Sequence, residues 1–142
     1  MKTTIHDTAL DAELQELYIL SNHWISDIHF IEDEIRFFKN LTHKHPDATL
    51  RDEQLRQIAD FDSSLSQFGA GIPDLKIRIV NFLIFIDPLI NDSNKEIGFN
   101  LIERFITLEN EVKTLFDGVK QVKKLLLSFT EEVTKQGNAV FF

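Results

Sequence analysis

The stretch FGAGIPDLKI, residues 68–77, decides how many helices this chain contains. Its two glycines and its proline are local signals for a break in a helix. The apolar spacing argues for continuity, because four positions keep one heptad phase across the stretch: Phe68, Ile72, Leu75 and Ile79. We therefore predict one long helix that is kinked near Pro73. A four-helix bundle with a break at 69–72 is the alternative.

The same spacing, alternating between three and four residues, extends outward from this stretch and recurs in the rest of the chain. Three stripes of mostly apolar residues run from Leu14 to Thr42, from Ile58 to Leu89 and from Leu101 to Val133. Such a stripe occupies one side of an α-helix and has to be buried against other helices. The scarcity of glycine (five) and proline (three) also disfavours a turn-rich β fold. The sequence therefore predicts an all-α fold.

Capping residues and turn signals place the ends of the helices. Thr8 or Asp11 is the expected N-cap of the first helix, and Thr49 or Asp52 is that of the second. Asparagine and serine residues at 91–94 form the expected turn before the third helix. The three helices are thus predicted at about 10–43, 50–91 and 94–136.

The connections between these helices are short, so consecutive helices are expected to be antiparallel neighbours. At about 1.5 Å per residue, helices of this length predict an elongated bundle. We expect a single helical-bundle domain over 8–136, followed by a short apolar C-terminal tail over 137–142.

Composition limits the classes of function. The 142 residues carry 23 acidic and 15 basic side chains, a formal net charge of −8, which disfavours binding to nucleic-acid phosphates. The absence of cysteine excludes disulfides and thiolate metal sites and fits a reducing compartment. The N-terminus lacks the pattern of a secretory signal, and the most apolar window is shorter than the roughly 20 residues that span a bilayer. We expect a cytoplasmic protein without nucleic-acid or membrane partners.

A second face of the first helix carries the residues most suggestive of chemistry. His23 and Asp27 stand one helical turn apart, and Glu34 follows two turns later. Histidine and carboxylate side chains that face into a bundle can hold metal ions, as in hemerythrin-like and ferritin-like folds, which this pattern loosely resembles. The Glu-x-x-His spacing of di-iron sites is absent from the sequence, so no ligand set is carried over. The competing interpretation is that His23 and Asp27 bond to each other and that nearby lysines pair with the acids.

The segment from residue 75 to residue 90 is apolar on nearly all sides. A helix of this kind has to be covered by more than one neighbouring face. Either the tail folds back onto it or a second protein surface covers it, and a two-fold homodimer is the commonest arrangement of the latter kind. The candidate partner-binding residues are Ile77, Val80, Ile84, Phe85, Phe141 and Phe142.

The sequence therefore favours a non-enzymatic helical-bundle protein, without a cofactor, that acts through self-association or through binding of a protein partner. The expected assembly is a homodimer. The alternative is a metal-binding bundle of the di-iron or hemerythrin-like kind, centred on His23, Asp27 and Glu34. Patterns typical of other catalytic sites, such as a glycine-rich phosphate loop or a Gly-x-Ser-x-Gly elbow, do not occur.

Overall fold

The computed structural model describes residues 5–43, 50–92 and 98–135, with side chains from residue 10 onward. This part of the chain forms three α-helices and contains no strand. A single 3₁₀ turn, Asp87–Leu89, follows the second helix directly. The all-α bundle prediction is confirmed. The helices are α1 (Ile5–His43), α2 (Asp52–Ile86) and α3 (Phe99–Lys135).

Helix α2 is continuous, with Pro73 inside it, so the four-helix alternative with a break at 69–72 is wrong. Ile72 and Leu75 are buried on either side of the proline. Burial of apolar side chains on both flanks opposes a break, although the proline removes one backbone hydrogen bond. The kink near Pro73 stays a prediction.

Helix α1 begins at Ile5, five residues before the predicted start, so Thr8 and Asp11 lie inside the helix and not at its N-cap position. Neither glycine nor proline occurs among the first residues to stop the helix from extending. The carboxylate of Asp11 instead accepts the backbone N–H of Asn91, with an Oδ1–N distance of 3.1 Å. The prediction that Asp11 caps α1 is therefore wrong, and its carboxylate instead binds the segment that follows α2.

The start of α2 is satisfied by a glutamine that the sequence interpretation overlooked. Asp52 is the first helical residue and not the cap, while Thr49 lies outside the described residues. The backbone N–H of Arg51 donates to Oε1 of Gln54 at 2.9 Å, which is one half of a capping box. The negative charges of Asp52 and Glu53 in the first turn also favour this end of the helix.

Helix α3 begins at Phe99, later than the predicted start at 94. Gly98 precedes it, and the Gly98 carbonyl accepts the N–H of Leu101 at 3.2 Å. Two residues after the 3₁₀ turn, Asn91 adopts the left-handed region with φ 68°, a conformation that asparagine tolerates better than most residues. This residue belongs to the turn that follows Leu89.

The chain divides into two compact units. Unit 1 comprises Met1–His29 and Pro73–Lys113, and unit 2 comprises Phe30–Ile72 and Thr114–Phe142. The single domain over 8–136 stays a prediction.

Unit 1 has an aromatic cluster in its core. The rings of Trp24 and Phe105 have centroids 5.2 Å apart, and Phe82 lies 6.1 Å from the same Phe105 ring. Contacts between α2 and α3 advance in opposite directions along the two helices, from Phe82–Phe105 to Arg78–Glu111, so these helices are antiparallel in this unit. Phe82 is fully buried.

Unit 2 shows the same antiparallel pairing. Between α1 and α2, Lys39 contacts Ser66 and His43 contacts Asp62. Between α2 and α3, the rings of Phe61 and Phe129 lie 5.7 Å apart. The core of this unit is aliphatic and aromatic; its buried members include Ile35, Phe38, Leu65, Val119, Leu126 and Val133.

Candidate interaction surface

The candidate surface lies on α2 within unit 1, on the side opposite the buried stripe. Ile77 is 61% exposed, Val80 43% and Ile84 64%. These positions are three and four residues apart, so their side chains lie on one face of the helix. We call Ile77, Val80, Ile84 and their neighbour Phe85 the α2 apolar face. All four are residues that the sequence singled out for partner binding.

The exposure of this face follows from the length of the apolar run. Leu75, Ile79, Phe82 and Ile86 take the positions that point into the core of unit 1, and all four are buried. An α-helix turns by about 100° per residue, so Ile77, Val80 and Ile84 point away from that core. The large exposed residues of α2 are therefore a surplus that the chain's own core does not use.

One flank of the α2 apolar face is covered by an arginine from α3. The Arg104 guanidinium lies over the ring of Phe85, 4.6 Å from its centroid, and 5.5 Å from the centroid of Phe82. Such a cation–π contact holds both groups in place. Phe85, at 40% exposed, is consequently less available than Ile77 or Ile84.

Beside Arg104 a polar groove of about 380 Å³ separates the exposed sides of α2 and α3 in unit 1. Two arginines, two asparagines and a threonine supply most of its hydrogen-bonding groups. It is lined by Arg78, Asn81, Asn100, Glu103, Arg104, Thr107 and Leu108. The groove gives the α2 apolar face one polar border, an arrangement typical of protein interfaces.

An ion-pair network fixes the other arginine of this groove. The Arg78 guanidinium donates from Nη1 and Nη2 to the two carboxylate oxygens of Glu111, the second at 2.8 Å, and from Nε to Asp74 at 2.9 Å. The hydrogen bonds to Glu111 have the largest effect on the pKa of Arg78 and raise it. Partial burial lowers this pKa, and the hydrogen bond to Asp74 raises it further. Arg78 is therefore a fixed cation at the border of the face.

The residues of the metal-binding hypothesis are not brought together as a site. His23 and Asp27 are exposed on α1 in unit 1. Glu34 belongs to unit 2, where its carboxylate accepts a hydrogen bond from Nζ of Lys123 at 2.9 Å. Among the residues that the structure describes, no group of three or more histidines and acids has the geometry of a metal site.

Phe141 and Phe142, the two candidate residues of the tail, lie outside the described residues. Leu83 shares the apolar run of α2 but is buried, with 8% exposed, and belongs to the core. The sequence interpretation did not consider Arg104, which contacts Phe85 of the α2 apolar face. The spacing of apolar residues within α2 contains no information about this contact.

Comparison of the chain with protein-family models, with curated proteins and with solved structures found no match. Across residues 5–43, 50–92 and 98–135, no helix has both the length and the apolar character needed to cross a membrane.

Proposed function

We propose that this protein is a non-enzymatic interaction module that self-associates through the α2 apolar face. The observation that carries the proposal is the exposure of Ile77 and Ile84, each more than half accessible, on one side of a helix whose opposite side is fully used by the core. Monomeric soluble proteins rarely leave contiguous large apolar patches in water.

The driving force for association is the burial of apolar surface. Burying apolar surface contributes roughly 25 cal/mol per Å², and a fully buried isoleucine side chain contributes about 1.5–3 kcal/mol relative to an exposed one. In a two-fold dimer the same face is buried on both copies, so each residue type contributes its apolar surface two times. Burial of the α2 apolar face in both copies therefore favours association and opposes the entropy cost of docking.

Sedimentation equilibrium at tens of micromolar tests the proposal directly. We expect a dimer for the unaltered chain and a folded monomer for Ile84→Asp, since a carboxylate in an apolar interface is left without a partner. Phe30→Asp is the matched control, because Phe30 is also 64% exposed but lies on α1 in unit 2. A monomeric unaltered chain, or an Ile84→Asp variant that stays dimeric, contradicts the proposal.

Native mass spectrometry of protein purified without a histidine tag adds a second readout. It reports the mass of the assembly and any bound metal in the same spectrum. A metal-free dimer supports the interaction module. A species carrying one or two metal ions would instead favour the bundle centred on His23, Asp27 and Glu34.

A further inference from the structure

The polar groove of unit 1 contains two arginines that differ in what they contact. Arg78 is neutralised within the chain, since its guanidinium donates to the carboxylates of Glu111 and Asp74. Arg104 lies over two phenylalanine rings, and no carboxylate among the residues that the structure describes accepts a hydrogen bond from it. Arg104 is therefore the cation of the groove whose charge is left for a ligand.

The groove also contains a carboxylate without a partner. Glu103 lines it and is exposed, and no basic side chain in the described part of the chain pairs with it. Glu103 and Arg104 are consecutive residues of α3, so their side chains diverge by about 100° and do not face each other. The groove thus holds one cation and one anion that do not satisfy each other.

Neutral hydrogen-bonding groups surround these two charges. Asn81 of α2 and Asn100 and Thr107 of α3 line the same groove and are exposed. Their side chains make no hydrogen bond to any other described residue. An amide offers both donors and an acceptor, so these groups can bind a polar ligand beside its charged ends.

The two charges select the class of ligand. A simple anion on Arg104 is repelled by Glu103 and by the net charge of −8 of the chain, and a simple cation on Glu103 is repelled by Arg104. A zwitterion satisfies both charges at once, with its carboxylate on the guanidinium and its ammonium group on the glutamate. The groove volume of about 380 Å³ lies within the range of small-molecule sites.

We propose that this groove binds a free α-amino acid with a polar side chain. In an α-amino acid the two charged groups are bonded to one carbon atom, which suits protein charges on consecutive residues. The ring of Phe85 holds the Arg104 guanidinium in place, so less conformational freedom is lost on binding. The inference does not rest on self-association, because the residues of the α2 apolar face are not among those that line the groove.

Nuclear magnetic resonance titration of the isotope-labelled full chain tests the proposal, with glutamine as the probe. N-acetylglutamine, which lacks the ammonium charge, and glutaminamide, which lacks the carboxylate, are the matched probes. We expect glutamine to shift the side-chain amide signals of Asn81 and Asn100 and to saturate in the millimolar range. Each analogue should bind about tenfold more weakly or worse, because it lacks one charge-assisted hydrogen bond. An analogue that binds as tightly as glutamine, or the absence of saturable shifts at these two amides, overturns the inference.

Substitutions at the two charges give an independent test. We expect Arg104→Gln and Glu103→Gln each to weaken glutamine binding by about tenfold or more. Glu103→Gln should also tighten the binding of N-acetylglutamine, because the carboxylate that repels this anion is removed. Lys113→Gln and Glu109→Gln are the controls, since they make the same charge changes at exposed positions of α3 that do not line the groove.

The controls are expected to leave the affinity for glutamine unchanged. Controls that weaken binding as much as the groove variants indicate a general charge effect and overturn the inference. The spectrum without ligand reports whether each variant is folded. The comparison of glutamine with its two analogues needs no variant, so it decides the question even where a substitution alters the fold.

Discussion

The ring of Phe68 in α2 lies directly against the backbone of Gly118 in α3, within unit 2. A Cβ atom added to Gly118 would stand 2.3 Å from Cζ of Phe68 and 2.4 Å from its Cε1. Gly71, in contrast, has nothing within 4 Å of its own Cβ position. One helical glycine is thus required by close packing, and the other is not.

The two glycines are expected to respond oppositely to alanine. Gly71→Ala should raise the free energy of unfolding by up to about 1 kcal/mol, because alanine favours a helix more than glycine does. Gly118→Ala should lower it by about 1–3 kcal/mol, because the Phe68 ring has to leave its place. Urea unfolding followed by circular dichroism measures both changes.

A double variant separates packing from backbone effects. Phe68→Leu in the Gly118→Ala background makes room for the new methyl group, so the alanine should cost less there than in the presence of Phe68. If Gly118→Ala proved as stable as Gly71→Ala, the close contact between the ring and the backbone would be contradicted.

Ser21 occupies a core position of α1 in unit 1 and is fully buried. Its hydroxyl has no hydrogen-bond partner among the residues that the structure describes. We expect Ser21→Ala to raise the free energy of unfolding by about 1 kcal/mol, because it removes an unpaired buried polar group. Thermal or urea unfolding measures the change.

Thr130 is the control for this substitution. It is also buried, but its hydroxyl donates to the Leu126 carbonyl at 2.9 Å. Thr130→Val is therefore expected to bring no comparable gain. A loss of stability in Ser21→Ala would show that the hydroxyl has a partner after all.

Asn91, in the turn after Leu89, has φ 68°, and its backbone N–H donates to the Asp11 carboxylate. Asn91→Ala should lower the free energy of unfolding by about 1 kcal/mol, because a Cβ without a compensating polar group disfavours the left-handed region. Asn91→Gly should retain most of the stability, since glycine adopts this conformation freely. Equal melting temperatures of the two variants would argue against the left-handed conformation.

The Arg78–Glu111 pair is expected to contribute modestly. Their side chains are 39% and 41% exposed, so solvent screens the attraction, and Glu111→Gln should cost no more than about 1 kcal/mol. The cost should shrink in high salt. Glu111 raises the pKa of Arg78 further above its usual value, which is already strongly basic. The stability linked to that shift is fully present below this value, so titration of Arg78 should produce no midpoint between pH 5 and pH 9. Unfolding measured at two salt concentrations and across that pH range checks both statements.

Sequence periodicity predicted the helical fold because burial of a stripe depends only on spacing along one helix. It was correct through Pro73, where Ile72 and Leu75 keep their phase and are buried. It failed where the outcome depends on which residues of separate helices lie level with each other. Glu34 was a candidate ligand, yet the structure pairs it with Lys123.

The same reason explains the parts of the candidate surface that were missed. Ile77 and Ile84 are exposed in the structure, as expected for a surplus apolar face. The cover that Arg104 provides for Phe85 depends on the register of α3 against α2, which no local pattern contains. The early start of α1 was missed because Asp11 resembles a cap in sequence but bonds to Asn91 instead.

The aromatic cluster of unit 1 has an optical consequence. Trp24, the one tryptophan of the chain, packs against Phe105, and the one tyrosine, Tyr18, belongs to the same unit. Intrinsic fluorescence therefore reports on the unfolding of unit 1, whereas far-ultraviolet ellipticity reports on all three helices. Coincident midpoints by the two signals would mark a single cooperative transition, and separate midpoints would resolve the melting of each unit. Trp24 and Tyr18 are therefore intrinsic fluorescent reporters of unit 1.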